Sequence, residues 1–271
     1  MKHREILKEK NKIVVKVGTN LLTYSNGRLN LKRMEQLVRV LADLRNSGKE
    51  VILVSSGAVG VGVGRMGLES KPDNLVLKQA LAAIGQAELI RLYQRFFDEY
   101  DQKVAQVLLT RDGIENPVRR RNARNTLNAL LDMGLIPIIN ENDTVSTAEI
   151  EFGDNDTLSA LVSILVQADL LLILTNIDGV FTADPLVHQS AKFVPKVMDA
   201  SNDLKDINLE GKTSLGTGGM ASKIAAAELC REHGIDVVIT NGNQPGIIFS
   251  ILEGEEYGTF FVSEATSKQA V

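Results

Sequence analysis

Apolar positions along the chain follow two alternating rhythms. Short, nearly unbroken runs of Val, Ile and Leu recur at Lys12–Val17, 51–54, Val104–Leu109, 136–139, 170–174 and 236–240. Between them lie longer stretches whose apolar residues recur three and four apart. Asn30 stands as an N-cap before a helix with Met34, Leu37, Leu41 and Leu44 on one face, ended by Gly48. Helices are also expected over 75–97, over 122–133 with Gly134 closing it, over Asn155–Val166, and over 221–233 before Gly234. Thr259 to Val262 reads as one more strand. Continuous apolar runs suit parallel strands covered on both faces. The expected fold is therefore α/β, an open, mostly parallel αβα sandwich. No repeat or Pro/Ser-rich linker divides the chain, so 1–271 is read as one domain. The polar stretch 178–212 is expected to form a small subregion or a flexible excursion.

In such sheets ligands sit beyond the carboxyl ends of the strands. The residues expected there are Gly18-Thr19-Asn20, Ser55-Ser56-Gly57-Ala58, Asn140-Glu141-Asn142-Asp143 and Thr175-Asn176. All are small or polar, and several such loops can converge on one site.

Candidate chemistry concentrates in a few motifs. The run Gly216-Thr217-Gly218-Gly219-Met220-Ala221-Ser222-Lys223 places glycines and a lysine at a helix start. Free N–H groups and the positive end of the helix dipole suit an anion there, most often phosphate. An ordinary glycine loop is the competing reading. Lys16 lies inside an apolar strand, where a charge must reach a polar rim or an anion, or else face outward at an edge. Asp154 reads as the N-cap of its helix, but Asp154, Asn155 and Asp156 together exceed what capping needs. Asn140-Glu141-Asn142-Asp143 is either a solvated loop or a recognition site for an amino group. Gly62-x-Gly64-x-x-Gly67 matches a dinucleotide fingerprint by letter only. Its strand ends at about Val54, so it reads as a flexible glycine loop. Gly211-Lys212-Thr213 lacks the first glycine and the strand of a Walker loop and reads as a surface turn.

Composition narrows the classes. Net charge is −4 and tryptophan is absent, which argues against general nucleic-acid or membrane-surface binding. Arg119, Arg120, Arg121 and Arg124 form a basic patch that reads as a solvated helix start or a partner contact. The single cysteine, Cys230, falls in an expected helix and cannot close an intrachain disulfide, in keeping with a reducing cytosol. No apolar signal segment follows Met1, and the apolar stretch 158–174 is interrupted by polar residues, so a cytoplasmic protein is expected. The three histidines lie far apart and suggest no metal-ligand spacing; metal ligands stay unassigned.

Taken together, KVGTN (16–20), VSSGAVGVG (54–62), INENDTV (139–145), FGDNDTLSA (152–160), LTNIDGVFTADP (174–185) and GTGGMASK (216–223) resemble the amino acid kinase superfamily, and within it the glutamate 5-kinase family. They occur in the family's order and span nearly the whole chain. The resemblance implies ATP-dependent phosphorylation of the L-glutamate side-chain carboxylate to γ-glutamyl phosphate, opening proline biosynthesis, with Mg²⁺ held chiefly by ATP phosphates and water. It implies catalytic roles for Lys16, Lys223 and Asp156, and for the N–H groups of Gly18 and Gly57. Ser56, Asp143 and Asn155 would hold glutamate. Lys16, Thr175, Asn176, Thr217, Gly218, Gly219, Met220, Ala221, Ser222 and Lys223 would bind ATP. About 1–165 would form the substrate side and about 166–271 the nucleotide side. Feedback inhibition by proline and a homo-oligomer are further expectations, as is a kinase domain without a C-terminal PUA domain. Asn176 departs from the family's usual Asp, so the nucleotide contact there lacks that charge. Other readings are a different carboxylate kinase of the superfamily, or a catalytically silent amino-acid sensor, which would not need Lys16, Asp156 and Lys223 together.

Overall fold

The computed structural model of the chain describes residues 4–24, 28–145, 155–185, 187–204 and 219–269. Its elements run β1 (Lys12–Val17), α1 (Thr19–Leu22), α2 (Leu31–Asn46), β2 (Glu50–Ser55), α3 (Ala58–Met66), α4 (Leu75–Asp98), β3 (Val104–Leu109), α5 (Arg111–Glu115), α6 (Pro117–Asp132), β4 (Ile136–Glu141), α7 (Asn155–Val166), β5 (Leu170–Thr175), β6 (Val180–Phe181), β7 (Phe193–Val194), β8 (Lys196–Val197), α8 (Ala200–Asp203), α9 (Met220–Glu232), β9 (Asp236–Asn241), α10 (Ile247–Leu252), β10 (Thr259–Phe261) and α11 (Glu264–Gln269). The principal sheet has eight strands in the order β3-β4-β2-β1-β5-β9-β10-β8. Its neighbours are parallel except β10 against β9. The expected mostly parallel sandwich is the observed one.

Strand periodicity builds two cores. Ile13, Val15 and Val17 point into one, with Leu37, Leu41, Leu89, Phe97 and Ile248. Val14 points into the other, with Ile52, Ile173, Leu127, Leu158 and Ala227. Helices α2, α4 and α10 thus cover one face, and α6, α7 and α9 the other. Lys16 shares the parity of Val14 and so faces α7 and α9. It pairs with Val54 on one side and Ile173 on the other, in the middle of the sheet and not at an edge. The chain leaves β1 outward through β2 and returns to β5 on β1's other side. Strand order therefore reverses at β1, where such sheets open a crevice.

Several boundaries differ from expectation. Helix α6 begins at Pro117, with Asn116 Oδ1 accepting from the N–H groups of Val118 and Arg119. The arginine run has no apolar stripe to reveal that first turn. Its four side chains are exposed, and Arg119 pairs with Asp112 at 2.5 Å. The polar stretch after residue 178 supplies β6, β7 and the edge strand β8, and is not merely an excursion; Gly211-Lys212-Thr213 lies outside the described residues. Cys230 is buried in α9, and burial pushes its thiol up to about 12, so it acts as a packing residue. No described helix is long and apolar enough to cross a membrane.

The glycine run expected as a flexible loop is helix α3, lying tightly against α4. A side-chain carbon on Gly62 would fall on the main chain of Leu81, and one on Gly85 on the carbonyl of Ala58. The glycines let two helix backbones meet, and that contact outweighs their poor helix propensity. At the opposite end of the sheet, the buried guanidinium of Arg4 donates to the carbonyls of Pro195, Glu255, Tyr257 and Gly258 at 2.6–3.1 Å. Gly85→Ala should lower stability by roughly 1–3 kcal/mol, the usual range for overpacking; an unshifted urea-unfolding midpoint would show that α3 can move aside freely.

Candidate active site

Two helix N-termini meet above the carboxyl end of β1. Helix α7 begins with Asn155 and Asp156, and α9 begins after Gly219 with Met220, Ala221, Ser222 and Lys223. Each helix start carries the partial positive charge of its aligned peptide dipoles. Asp156 is fully buried between them. Its Oδ1 lies 2.6 Å from Lys16 Nζ, and its Oδ2 lies 3.0 Å from Lys223 Nζ. Ser222 Oγ also donates to Oδ2 at 3.0 Å. Burial pushes the Asp156 carboxyl upward, but the Lys16 and Lys223 ammonium groups outweigh it and hold the group below the ordinary carboxylate value. Among these three side chains two ammoniums face one carboxylate, so their charges sum to a positive value. A positive sum beneath two helix starts suits an anion.

The glycine turns flank this centre. Gly18 follows β1, and a side-chain carbon there would stand 3.6 Å from Lys16 Nζ. Gly57 caps α3 in a left-handed conformation, φ 108°, which a residue with a side chain rarely adopts. Thr19 packs beneath it.

A second set of groups is neutral. Asn155 Nδ2 donates to Ser56 Oγ and to Asn140 Oδ1, both at 2.8 Å. Asn140 Nδ2 donates to Gln86 Oε1 at 2.7 Å. The loop after β2, the end of β4 and the start of α7 are thereby tied together. Behind them, Ser55 Oγ and the buried Tyr93 hydroxyl share a hydrogen bond of 2.9 Å. Asp143 sits in the turn after β4, half-buried. Thr175 ends β5, and its hydroxyl donates to Asn176 Oδ1 at 3.3 Å; Asn176 is exposed at the sheet's carboxyl edge.

The structure thus brings Lys16, Asp156, Ser222 and Lys223 into direct contact, with Gly18 beside them, and joins Ser56 to Asn155. Asp143, Thr175 and Asn176 lie on the same edge but outside these two networks as described. Thr217, Gly218 and Asp154 fall outside the described residues, so the proposed cap at Asp154 is not described. Gln86 and Tyr93 were not anticipated. Gln86 had one signal: it is the polar member of the stripe Ala82, Gln86, Leu89, Tyr93 on α4.

The amino acid kinase family model matches residues 11–241. Glutamate 5-kinase of Clostridium perfringens (strain 13 / Type A) is 49% identical over 265 residues, covering 96% of this chain and 98% of that protein. The chain belongs to the amino acid kinase family, among the glutamate 5-kinases. Glutamate 5-kinase of Caldanaerobacter subterraneus subsp. tengcongensis is 53% identical over 93% of this chain and 68% of that protein. Among solved structures, UMP kinase from Bacillus anthracis aligns with a TM-score of 0.65 at 20% identity, covering 94% of this chain and 97% of that one. Isopentenyl phosphate kinase from T. acidophilum aligns with the same score at 16% identity, covering 93% and 100%. These two share the fold.

The ionised Asp156 contributes stability that is full above the ordinary carboxylate range, near ~4, and is lost as pH falls through its own lower value. Asp156→Asn removes the buried carboxylate that Lys16 and Lys223 share and should cost about 3–5 kcal/mol at neutral pH. Urea unfolding across a pH series should show that gap narrowing below about pH 4; a gap independent of pH would contradict the ion-pair account.

Proposed function

We propose that the protein phosphorylates the side-chain carboxylate of L-glutamate at the expense of ATP, giving γ-glutamyl phosphate for proline biosynthesis. The observation that carries this reading is the buried Asp156 holding Lys16 and Lys223 at 2.6 and 3.0 Å where two helix N-termini meet. The close relatives, glutamate 5-kinases over almost their full length in the first case, supply the acceptor.

The chemistry asks little of the protein in proton transfer. A glutamate side chain, with a free pKa near ~4.3, is already ionised at neutral pH and needs no general base. A carboxylate oxygen attacks the γ-phosphorus, the bond to the β–γ bridging oxygen breaks, and ADP leaves. Charge builds on the equatorial oxygens and on the leaving oxygen, so catalysis is positioning and neutralisation. We assign Lys16 and Lys223 to those oxygens and to the nucleotide phosphates, with the N–H groups of Gly18 and Gly57 as further donors. Asp156 orients the two lysines; its depressed pKa makes it a poor proton acceptor. Ser56, Asp143 and Asn155 are assigned to glutamate, Asp143 pairing with its ammonium. Thr175, Asn176 and residues 217–223 are assigned to ATP. On this reading about 1–165 forms the substrate side and about 166–271 the nucleotide side of one domain.

Among the described residues no three His, Cys, Asp or Glu side chains stand together as metal ligands. The cationic centre does not make a cage for a bare cation, and Mg²⁺ would enter on the nucleotide's own phosphates and water. Self-association, a cytoplasmic location and inhibition by proline belong to the same reading.

Purified protein with ATP, Mg²⁺ and L-glutamate should release ADP, whereas N-acetylglutamate or aspartate should not replace glutamate. Preference for either analogue would sink the assignment, and L-proline titrated into the same assay should slow it. Lys223→Ala should lower kcat by roughly 10²–10³-fold, the usual loss for one preorganised charge-stabilising group, with a much smaller change in glutamate KM; unchanged turnover would remove Lys223 from the mechanism.

A further inference from the structure

Asn140 holds only one amide orientation. The main-chain N–H of Glu141 donates to its Oδ1 at 2.9 Å. A main-chain N–H cannot accept, so Nδ2 must point the other way, to Gln86 Oε1. Asn155 is then fixed in turn. Its Nδ2 spends one hydrogen on Asn140 Oδ1 and the other on Ser56 Oγ. What remains for a ligand is the acceptor oxygen of Asn155 and the hydroxyl hydrogen of Ser56. One main-chain donor therefore sets the polarity of the whole chain: a donor at Ser56 suits a carboxylate, and an acceptor at Asn155 suits an ammonium.

We propose that Gln86 is a positioning residue for the amino-acid substrate, accepting from Asn140 Nδ2 so that the Asn140–Asn155–Ser56 chain keeps this single polarity. The proposal rests on the reading of Ser56 and Asn155 as substrate residues. Gln86 is only 9% exposed and lies on the inner face of α4. It directly follows Gly85, whose missing side chain lets α4 meet the start of α3 at Ala58. Since α3 begins immediately after Ser56 and Gly57, the contact that seats the substrate loop also delivers Gln86 to Asn140. Without an acceptor at this position, Asn140 keeps a buried donor with nothing to receive it and is drawn off its place between Glu141 and Asn155. The effect falls on glutamate and not on the phosphoryl group, because Lys16 and Lys223 are held by Asp156 through separate bonds.

Gln86→Met removes the acceptor at nearly constant volume. Steady-state kinetics should show glutamate KM raised roughly tenfold, the factor expected for one buried hydrogen bond, with kcat and ATP KM within about twofold. Gln86→Glu keeps an acceptor oxygen in either protonation state and should hold glutamate KM within about threefold of the parent. In a double-mutant cycle with Asn140→Ala, the two effects on KM should not add. A purely structural role would lower the thermal midpoint and kcat while leaving glutamate KM alone. An unchanged KM in Gln86→Met, or full additivity in the cycle, would overturn the proposal. If the methionine variant does not fold, a tenfold rise in Gln86→Glu would overturn it as well. Turnover of glutamate by the unmodified protein, measured first, separates the two claims. Its absence overturns the functional reading and this inference together; its presence with an unchanged KM overturns only the role of Gln86.

Discussion

A single buried carboxylate organises this molecule. Asp156 takes one ammonium from the central strand and another from α9, while standing itself at the start of α7. Three elements distant in sequence are pinned to one point by full charges out of water. Such a triad contributes less net stability than its Coulomb energy suggests, because three ions are desolvated to make it. Its value lies in orientation. Both ammoniums are held in fixed directions at the carboxyl edge of the sheet, and preorganised charge of this kind needs little rearrangement to meet an anion.

The site divides by physics as well as by position. Around Asp156 the interactions are between full charges, on the face covered by α7 and α9. Around Ser56, Asn140 and Asn155 they are neutral amides and a hydroxyl, each able to donate or accept according to its neighbours. Charge attracts a polyanion with little regard for its shape. Directional amide bonds discriminate one small zwitterion from another. Asn155 and Asp156, adjacent at the start of α7, are the seam between the two regimes.

Much of this was legible in the sequence because the physics is local. The Val- and Ile-rich runs can hardly be anything but covered strands, and their polar successors fall at the carboxyl edge. Lys16 drew notice because a lysine among valines needs an anion, and the structure places that anion in Asp156. What was not legible depends on distant partners. Residues 58–66, with glycines at 60, 62 and 64, have little intrinsic helix propensity; they are helical because α4 offers them a bare backbone at Gly85. Gln86 sits in an otherwise apolar stripe of α4, and its role depends on Asn140, 54 residues away. The two-residue strand β8 is too short to carry a period at all.

Arg4 extends this dependence on distance to the history of the chain. Its guanidinium grips the carbonyls of Glu255, Tyr257 and Gly258, partners more than 250 residues along the sequence. The central strand β1 similarly gains its second neighbour, β5, only after residue 170. A ribosome emits these segments far apart in time. The early strands must wait, paired on one side only, until the later ones emerge, and the Arg4 clamp closes only after Gly258 has left the exit tunnel. Folding of this protein is therefore dominated by contacts that close large loops, a topology that slows the search and leaves half-paired strand edges open during synthesis.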